Sequence, residues 1–211
     1  QAFEPVRAAL IIPLTVIHAE KDRGDSKREF ATSVVTRYLK DDPEQLFDLL
    51  DNANDKQFAL IANALHGHRE RAIELAFAQL AESADGEELD VLRDELAMRQ
   101  AAAATLLMHL ELSDSVWPLL KRTADPGLRG HLIHGLATRS SNPEMLISRF
   151  KEENDKGIRC AILLSLGKHE LSNSEKLSMQ NELSDLYSSD PDPGLHSIIE
   201  WLLRGWDRFE A

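Results

Sequence analysis

The residues of this chain that could do chemistry are its histidines, its cysteine and its carboxylates. Of the eight histidines, His131 and His134 are three residues apart, which places them on one face of a predicted helix. His66 and His68 lie on either side of Gly67. Neither pair has a cysteine or carboxylate at a spacing typical of metal ligands. We therefore expect no metal site and interpret these histidines as structural hydrogen-bonding side chains.

Nucleophilic chemistry has equally little support. The single cysteine, Cys160, precedes an apolar run on a predicted helix, so we expect it to be a small buried side chain rather than a nucleophile. The sequence contains neither a Gly-x-Ser-x-Gly motif nor a glycine-rich phosphate loop. We predict no catalytic residues and no cofactor, and that the chain is not itself an enzyme.

A short corner with an acidic start and a basic end recurs along the sequence. The three clear copies read Asp125-Pro126-Gly127-Leu128-Arg129, Asp155-Lys156-Gly157-Ile158-Arg159 and Asp192-Pro193-Gly194-Leu195-His196. Looser copies occur at 55–59 and 95–99. Their apolar fourth residues recur roughly every 30 to 40 residues, a period typical of stacked helical hairpins.

Each corner is suited to begin a helix. An aspartate can accept hydrogen bonds from the free amides of the first turn, and proline is tolerated at the first helical position. A base at the fifth position opposes the helix dipole, so an acidic group should offset it. Two interpretations remain open, a ladder of acid–base pairs between neighbouring units or simple N-caps with solvated arginines. The recurrence resembles the HEAT repeat family, in which such pairs form a ladder. The predicted structural corner residues are Asp125, Arg129, Asp155, Arg159, Asp192 and His196.

The elements that position these corners are predicted to be helices. Apolar residues make up 43% of the chain and aromatic residues only 6%, and β-branched residues do not form alternating runs. We predict an all-α protein, a single HEAT- or armadillo-like α-solenoid over residues 1–211 with about six antiparallel helix pairs in a right-handed superhelical stack. Stacking must stabilise these pairs, since none can bury its own apolar face. The predicted pairs are 5–40, 43–66, 68–111, 113–138, 143–168 and 173–208.

Charge and hydropathy exclude several classes of partner. The net charge is −12, from 36 acidic and 24 basic residues, which disfavours nucleic acid and anionic membrane surfaces as main partners. The longest apolar run, 8–17, is shorter than the about eighteen residues of a membrane span. We expect a cytoplasmic protein without membrane insertion. Because the chain begins with Gln1 rather than methionine, we also expect it to be a piece of a longer protein.

Several stretches together resemble one particular context. They are Phe30–Thr32 running to Pro43, Asp55–Ala59, His68–Ala72, Arg99–Ala101, Val116–Leu120, His131–His134 and, most specifically, Asp192–His196 leading to Glu200–Trp206. They resemble the helical-repeat region of planctomycete-type bacterial chains that combine a serine/threonine kinase domain with a formylglycine-generating-enzyme-like domain. In that family this region immediately precedes the enzyme-like domain. The resemblance implies a multidomain signalling context and assigns no catalytic residue.

The last helix contains the candidate docking residue. Its apolar stripe comprises Leu195, Ile198, Ile199, Leu202, Trp206 and Phe209. Trp201 lies roughly 120° from the centre of that stripe, so we predict that it is partly exposed and docks a protein or a flanking domain. The alternative is that Trp201 packs against its own hairpin partner.

Two functions follow from these observations. We expect a non-catalytic scaffold, a solenoid that binds a protein or positions neighbouring domains of its own chain. The alternative is a regulatory segment that completes or occludes the active site of an adjacent kinase or formylglycine-generating-enzyme-like domain.

Overall fold

The computed structural model of the chain describes residues 4–83, 90–139 and 142–206. These residues form α-helices, short 3₁₀ turns and connecting loops, and none of them is in a strand. The prediction of an all-α fold is therefore confirmed. The chain forms two compact units, Gln1–Ser113 and Asp114–Ala211. The finer prediction of one right-handed solenoid of antiparallel pairs stays a prediction.

Unit 1 is built from helices that pack mainly on their neighbours in sequence. Helix α1 packs on α2, α2 on α4, α3 on both α4 and α5, and α5 on α6. The 3₁₀ turn Leu49–Asn52 contacts α1 and α6. The helices of this unit are α1 (Glu4–Ala19), α2 (Asp25–Tyr38), α3 (Pro43–Asp48), α4 (Asp55–His66), α5 (Arg69–Ala81) and α6 (Asp90–His109).

In unit 2 one helix is central. Helix α10 contacts α8, α9 and α12 as well as the 3₁₀ turn Trp117–Leu120, and α11 packs on α12. Most side chains of α10 are buried, among them Ile158, Cys160 and Leu163. The helices are α7 (Ser113–Val116, beginning at the boundary of the two units), α8 (Gly127–Thr138), α9 (Pro143–Glu152), α10 (Lys156–Leu166), α11 (Asn173–Ser189) and α12 (Pro193–Gly205).

Side-chain caps fix where several helices begin. Asp42 and Asn142 each accept a hydrogen bond from the amide three residues later, and each is followed by a proline in the first turn. These Asp-Pro and Asn-Pro starts are the ones expected from the sequence. Helix α4 adds a capping box, in which Asn54 and Gln57 bond to each other's backbone amides.

The buried face of α2 differs from the predicted one. The helical period over 28–39 predicts one apolar face that contains Phe30, Val34, Tyr38, Ala31, Val35 and Leu39. The last three are buried, but Phe30 is 69% exposed. Arg28, Thr32 and Thr36 lie on the buried side instead, because all three donate hydrogen bonds to carbonyl groups there.

Two other predicted segments differ in detail. Local periodicity predicts helices over 87–111 and 113–122 and a loop at 83–86. The first of these helices is described from Asp90 to His109, and most of the predicted loop lies outside the described residues. The small side chains Ala101–Ala104 of this helix, α6, are all buried, as a close contact between helices requires. The helix expected over 113–122 is a short α7 followed by a 3₁₀ turn, which begins just before Pro118. Within the described ranges, no helix is long and apolar enough to cross a membrane.

Candidate docking site

The aspartates of the second and third corners act as helix caps. Asp155 accepts from the amide of Ile158 at 3.0 Å. Asp192 accepts from the amides of Gly194 and Leu195 at 2.8 and 3.1 Å. Asp125 accepts from the amide of Gly127 at 2.9 Å, but the N-cap residue of α8 is Pro126 and the helix begins at Gly127 without a side-chain cap.

The base of the first corner donates to two backbone carbonyls. Nε of Arg129 donates to the carbonyl of Leu120 at 2.8 Å, and one terminal nitrogen donates to the carbonyl of Gly157 at 3.0 Å. Burial lowers the pKa of this guanidinium, although an arginine remains charged at any ordinary pH. Arg129 therefore ties the turn before its own helix to the first turn of α10, a role different from the expected ladder.

Arg159 has an acidic partner from outside the corners. One terminal nitrogen lies 3.2 Å from Glu182 of α11, and the guanidinium stacks 4.7 Å from the ring centre of Phe150. Its Nε is buried without a hydrogen-bond partner. The ion pair thus connects α10 to α11, and Asp155 is left to its capping role.

The sequence reasoning missed the arginine that binds a corner aspartate. Arg122 lies 3.4 Å from a carboxylate oxygen of Asp192 and donates to Sγ of Cys160 at 3.6 Å. A Cβ atom at Gly157 would lie 3.0 Å from the backbone nitrogen of Arg122. The amide of Leu195, and further that of Gly194 and the Arg122 charge, hold the pKa of the Asp192 carboxyl below its usual range. Arg122 precedes the corner motif by three residues, so the motif itself gave no signal for it.

His196 and Cys160 both make contacts within unit 2. Nε2 of His196 donates to the carbonyl of Asp190, and its ring lies 5.1 Å from that of Tyr187. Cys160 is a buried free thiol. Burial raises its pKa, which the nearby Arg122 charge only partly opposes. A thiol in this state is a poor nucleophile at neutral pH.

The described residues contain no group of three or more His, Cys, Asp or Glu side chains that could hold a metal ion. The pair His131 and His134 lies on α8. His68 bonds to the carbonyl of Lys40 at 2.6 Å.

Unit 1 has an open surface depression of about 500 Å³, which is lined by residues 66–71 and Glu74. The guanidinium of Arg71 lies in this depression, 2.7 Å from both Glu44 and Glu74.

Trp201 lies on the surface of unit 2 and is 45% exposed. The six-membered part of its indole covers Gly167, the residue that ends α10, so closely that a Cβ atom there would overlap the ring. The indole is thus seated on the C-terminal end of α10. Leu195, Ile199, Leu202 and Trp206 of the predicted stripe are buried, Ile198 is half-buried, and Phe209 lies outside the described residues.

A buried polar network in unit 1 was not expected from the sequence. His18, Arg28, Thr32 and Gln57 are all at most 5% exposed. Nδ1 of His18 lies 2.8 Å from the Thr32 hydroxyl and 2.9 Å from the Gln57 amide nitrogen, and its Nε2 lies 2.9 Å from the carbonyl of Leu49. Arg28 donates to the carbonyls of His18 and Asn52 at 2.9 and 2.7 Å. A histidine that ends an apolar run was the only sequence signal for this network.

No protein-family model matches this chain, and it has no significant match among curated proteins or solved structures.

Proposed function

We propose that this chain is a non-catalytic helical-repeat module of the HEAT type, which holds a protein partner or a neighbouring domain at Trp201. The wider context suggested by the sequence resemblance, with kinase and formylglycine-generating-enzyme-like domains in one longer chain, is part of this proposal.

Two arginines support the repeat architecture. Arg28 in unit 1 and Arg129 in unit 2 each donate from Nε to a carbonyl nine or ten residues earlier in the chain. Each also donates from a terminal nitrogen to a carbonyl near the start of the second helix of the next predicted pair, that of Asn52 before α4 or that of Gly157 in α10. The same side chain therefore joins consecutive pairs in the same way in both units. Such nearest-neighbour connections are what stacked repeats require.

The observation that carries the docking proposal is the half-exposed indole of Trp201. Tryptophan is among the residues most enriched at the energetic centres of protein interfaces. The seat on Gly167 holds the ring in place before a partner arrives, so binding would cost little additional side-chain entropy. The side chains next to Trp201 on α12 are charged, since Glu200 and Arg204 form an ion pair there. A partner surface with both apolar and polar groups would therefore fit this site.

The test compares three forms of the chain as baits for proteins from the cells that express it. The wild type, Trp201→Ala and Leu177→Ala are immobilised at equal density, and bound proteins are quantified by mass spectrometry. Leu177 is the matched control, because it is also a large exposed apolar residue, 54% exposed on the neighbouring helix α11. We expect partners that are retained by the wild type and by Leu177→Ala and lost with Trp201→Ala, with at least about a tenfold drop in affinity.

Binding that does not depend on Trp201 would contradict the docking role. Should a Trp201-dependent partner prove to be an enzyme, its activity with and without the chain would separate positioning from regulation. A spacer leaves the turnover of the bound enzyme unchanged, whereas a regulatory segment changes it.

A further inference from the structure

The buried network around His18 is not used by the proposed docking function. His18 lies near the end of α1 and bonds to three other elements, through Thr32 on α2, Leu49 in the 3₁₀ turn and Gln57 on α4. Of the α1 side chains that the structure describes, residues 9–19, only His18 is fully buried. Its backbone carbonyl accepts from Arg28 and Gln57 as well. This histidine is therefore the main polar anchor of α1.

The Leu49 carbonyl defines which ring nitrogen of His18 carries a proton. A carbonyl can only accept, so Nε2 carries the proton that is donated to Leu49. In the neutral ring Nδ1 is then an acceptor, and the Gln57 amide donates to it at 2.9 Å. A second proton on Nδ1 would face this amide donor. The Thr32 hydroxyl could accept that proton, but the added positive charge would remain buried beside the guanidinium of Arg28.

We propose that His18 is a proton-sensitive latch, which holds α1 against α2, α4 and the turn Leu49–Asn52 when neutral and releases α1 when its ring is protonated. The contacts described for His18 are an amide, a hydroxyl and a carbonyl, none of which can neutralise an imidazolium. Burial lowers the pKa of His18, and the Arg28 charge lowers it further. The hydrogen bond to the Leu49 carbonyl acts in the opposite direction but does not outweigh burial. The folded form with α1 docked therefore binds the second proton less well than the released form does.

The other charged groups on the elements around His18 do not favour the release of α1 at low pH. Helix α2 contributes Arg28, which repels an imidazolium, and Asp25, which accepts from the Asn54 amide. The turn contributes Asp51, preceded by Asp48 at the end of α3, and α4 begins with Asp55. Burial raises the pKa values of Asp48 and Asp51, so the folded form binds their protons more tightly. Acidification would stabilise the folded state through these two carboxyls, which is the opposite sign to that of His18.

The change in the opening equilibrium of α1 with pH follows from the difference in proton binding by His18 in the docked and released forms. A released His18 titrates near its ordinary pKa of about 6.5. If the docked ring stays neutral, the opening equilibrium of α1 increases by up to about thirtyfold between pH 7.5 and pH 5.0. The increase should begin as the pH falls below about 6.5 and level off once the docked ring also becomes protonated.

Hydrogen exchange on the full chain tests this proposal. The exchange of α1 amides is followed at pH 7.5 and 5.0, corrected for the intrinsic pH dependence of exchange, in wild type, His18→Gln and His66→Gln. His66 is the matched control, since it is an exposed histidine of the same unit. We expect faster opening of α1 at pH 5.0 in the wild type and in His66→Gln, and no pH dependence in His18→Gln.

Nitrogen chemical shifts of the wild-type imidazole give a second measurement that does not depend on a folded variant. We expect the Nε2–H tautomer at pH 7.5 and a titration midpoint below about 6.5. Opening of α1 that does not change between pH 7.5 and 5.0, opening that changes equally in His18→Gln, or a midpoint at or above the ordinary value would overturn the latch.

Discussion

At the scale of single residues, two arginines of this chain act on backbone carbonyls rather than on carboxylates. The last four carbonyls of any helix lack partners within that helix. Arg28 and Arg129 each bind two carbonyls from different elements. The planar guanidinium can donate in two directions at once, which an ammonium group does less well. An arginine after a helix start therefore need not indicate a carboxylate partner, which is why the expected acid–base ladder did not identify the contacts of Arg129.

The close contact between Trp201 and Gly167 predicts that alanine substitutions at two similar glycines change stability differently. Gly67 and Gly167 follow α4 and α10 with nearly equal backbone angles, φ of −65° and −64°. A Cβ at Gly67 would meet only a carbonyl oxygen at 3.5 Å, whereas one at Gly167 would overlap the indole of Trp201. We expect Gly167→Ala to lower the free energy of unfolding by about 1–2 kcal/mol. Gly67→Ala should be neutral or stabilising by up to about 1 kcal/mol.

Urea unfolding measures both changes, and the emission maximum of tryptophan reports whether the indole has moved. Equal midpoints for the two variants would show that Trp201 is not seated on Gly167.

Some residues could be predicted from the sequence because one helix determines their position. The exposure of Trp201 follows from its angle to the apolar stripe of α12, which the sequence of that helix alone defines. The contact with Gly167 could not be predicted, since it depends on how closely α10 approaches α12. His18 was missed for the same reason, because its partners lie 14 to 39 residues away in the chain.

At the scale of elements, the corner at Asp155 is best understood as the beginning of the helix at the centre of unit 2. Helix α10 contacts three other helices and begins at the cap Asp155. The carboxylate of Asp155 also lies close to Gly157, where a Cβ would come within 3.0 Å of its Oδ1. The start of α10 is thus held from two sides, by its own cap and by the bond from Arg129 to the carbonyl of Gly157.

Substitution of the cap should separate hydrogen bonding from charge. We expect Asp155→Ala to cost about 1 kcal/mol of unfolding free energy, since the amide of Ile158 loses its acceptor. Asp155→Asn should retain most of the stability, because asparagine caps helices about as well. Urea midpoints of the two variants decide this. A loss in Asp155→Asn as large as that in Asp155→Ala would indicate that the negative charge matters more than the cap.

The boundaries of helices were more predictable than their buried faces. Asp42-Pro43 and Asn142-Pro143 mark helix starts through local chemistry, and the structure begins α3 and α9 there. The face of α2 was wrong at Phe30, because the partners that bury Arg28 and Thr32 belong to α1 and the turn before α4. Local sequence does not show that a polar face will find such partners.

At the scale of the whole molecule, the positions of the tryptophans allow the unfolding of unit 2 to be followed separately. All three tryptophans, Trp117, Trp201 and Trp206, belong to unit 2, whereas helices occur in both units. Tryptophan fluorescence therefore reports on unit 2 alone, and far-ultraviolet circular dichroism reports on both.

We expect the two probes to give different urea unfolding curves, because each unit has its own buried core. The difference should widen in His18→Gln, which removes a buried hydrogen-bonding group from unit 1 and leaves unit 2 unaltered. Coincident curves in both proteins would show instead that the chain unfolds in one step.

The close contact of Trp201 with Gly167 also has a consequence for sequence divergence. An indole can occupy the space above position 167 only while that residue lacks a side chain. In related chains the two positions should therefore change together, with a smaller residue at 201 wherever 167 is not glycine. A lineage that loses the glycine would lose the exposed indole with it, and the docking role proposed for Trp201 would then require another residue.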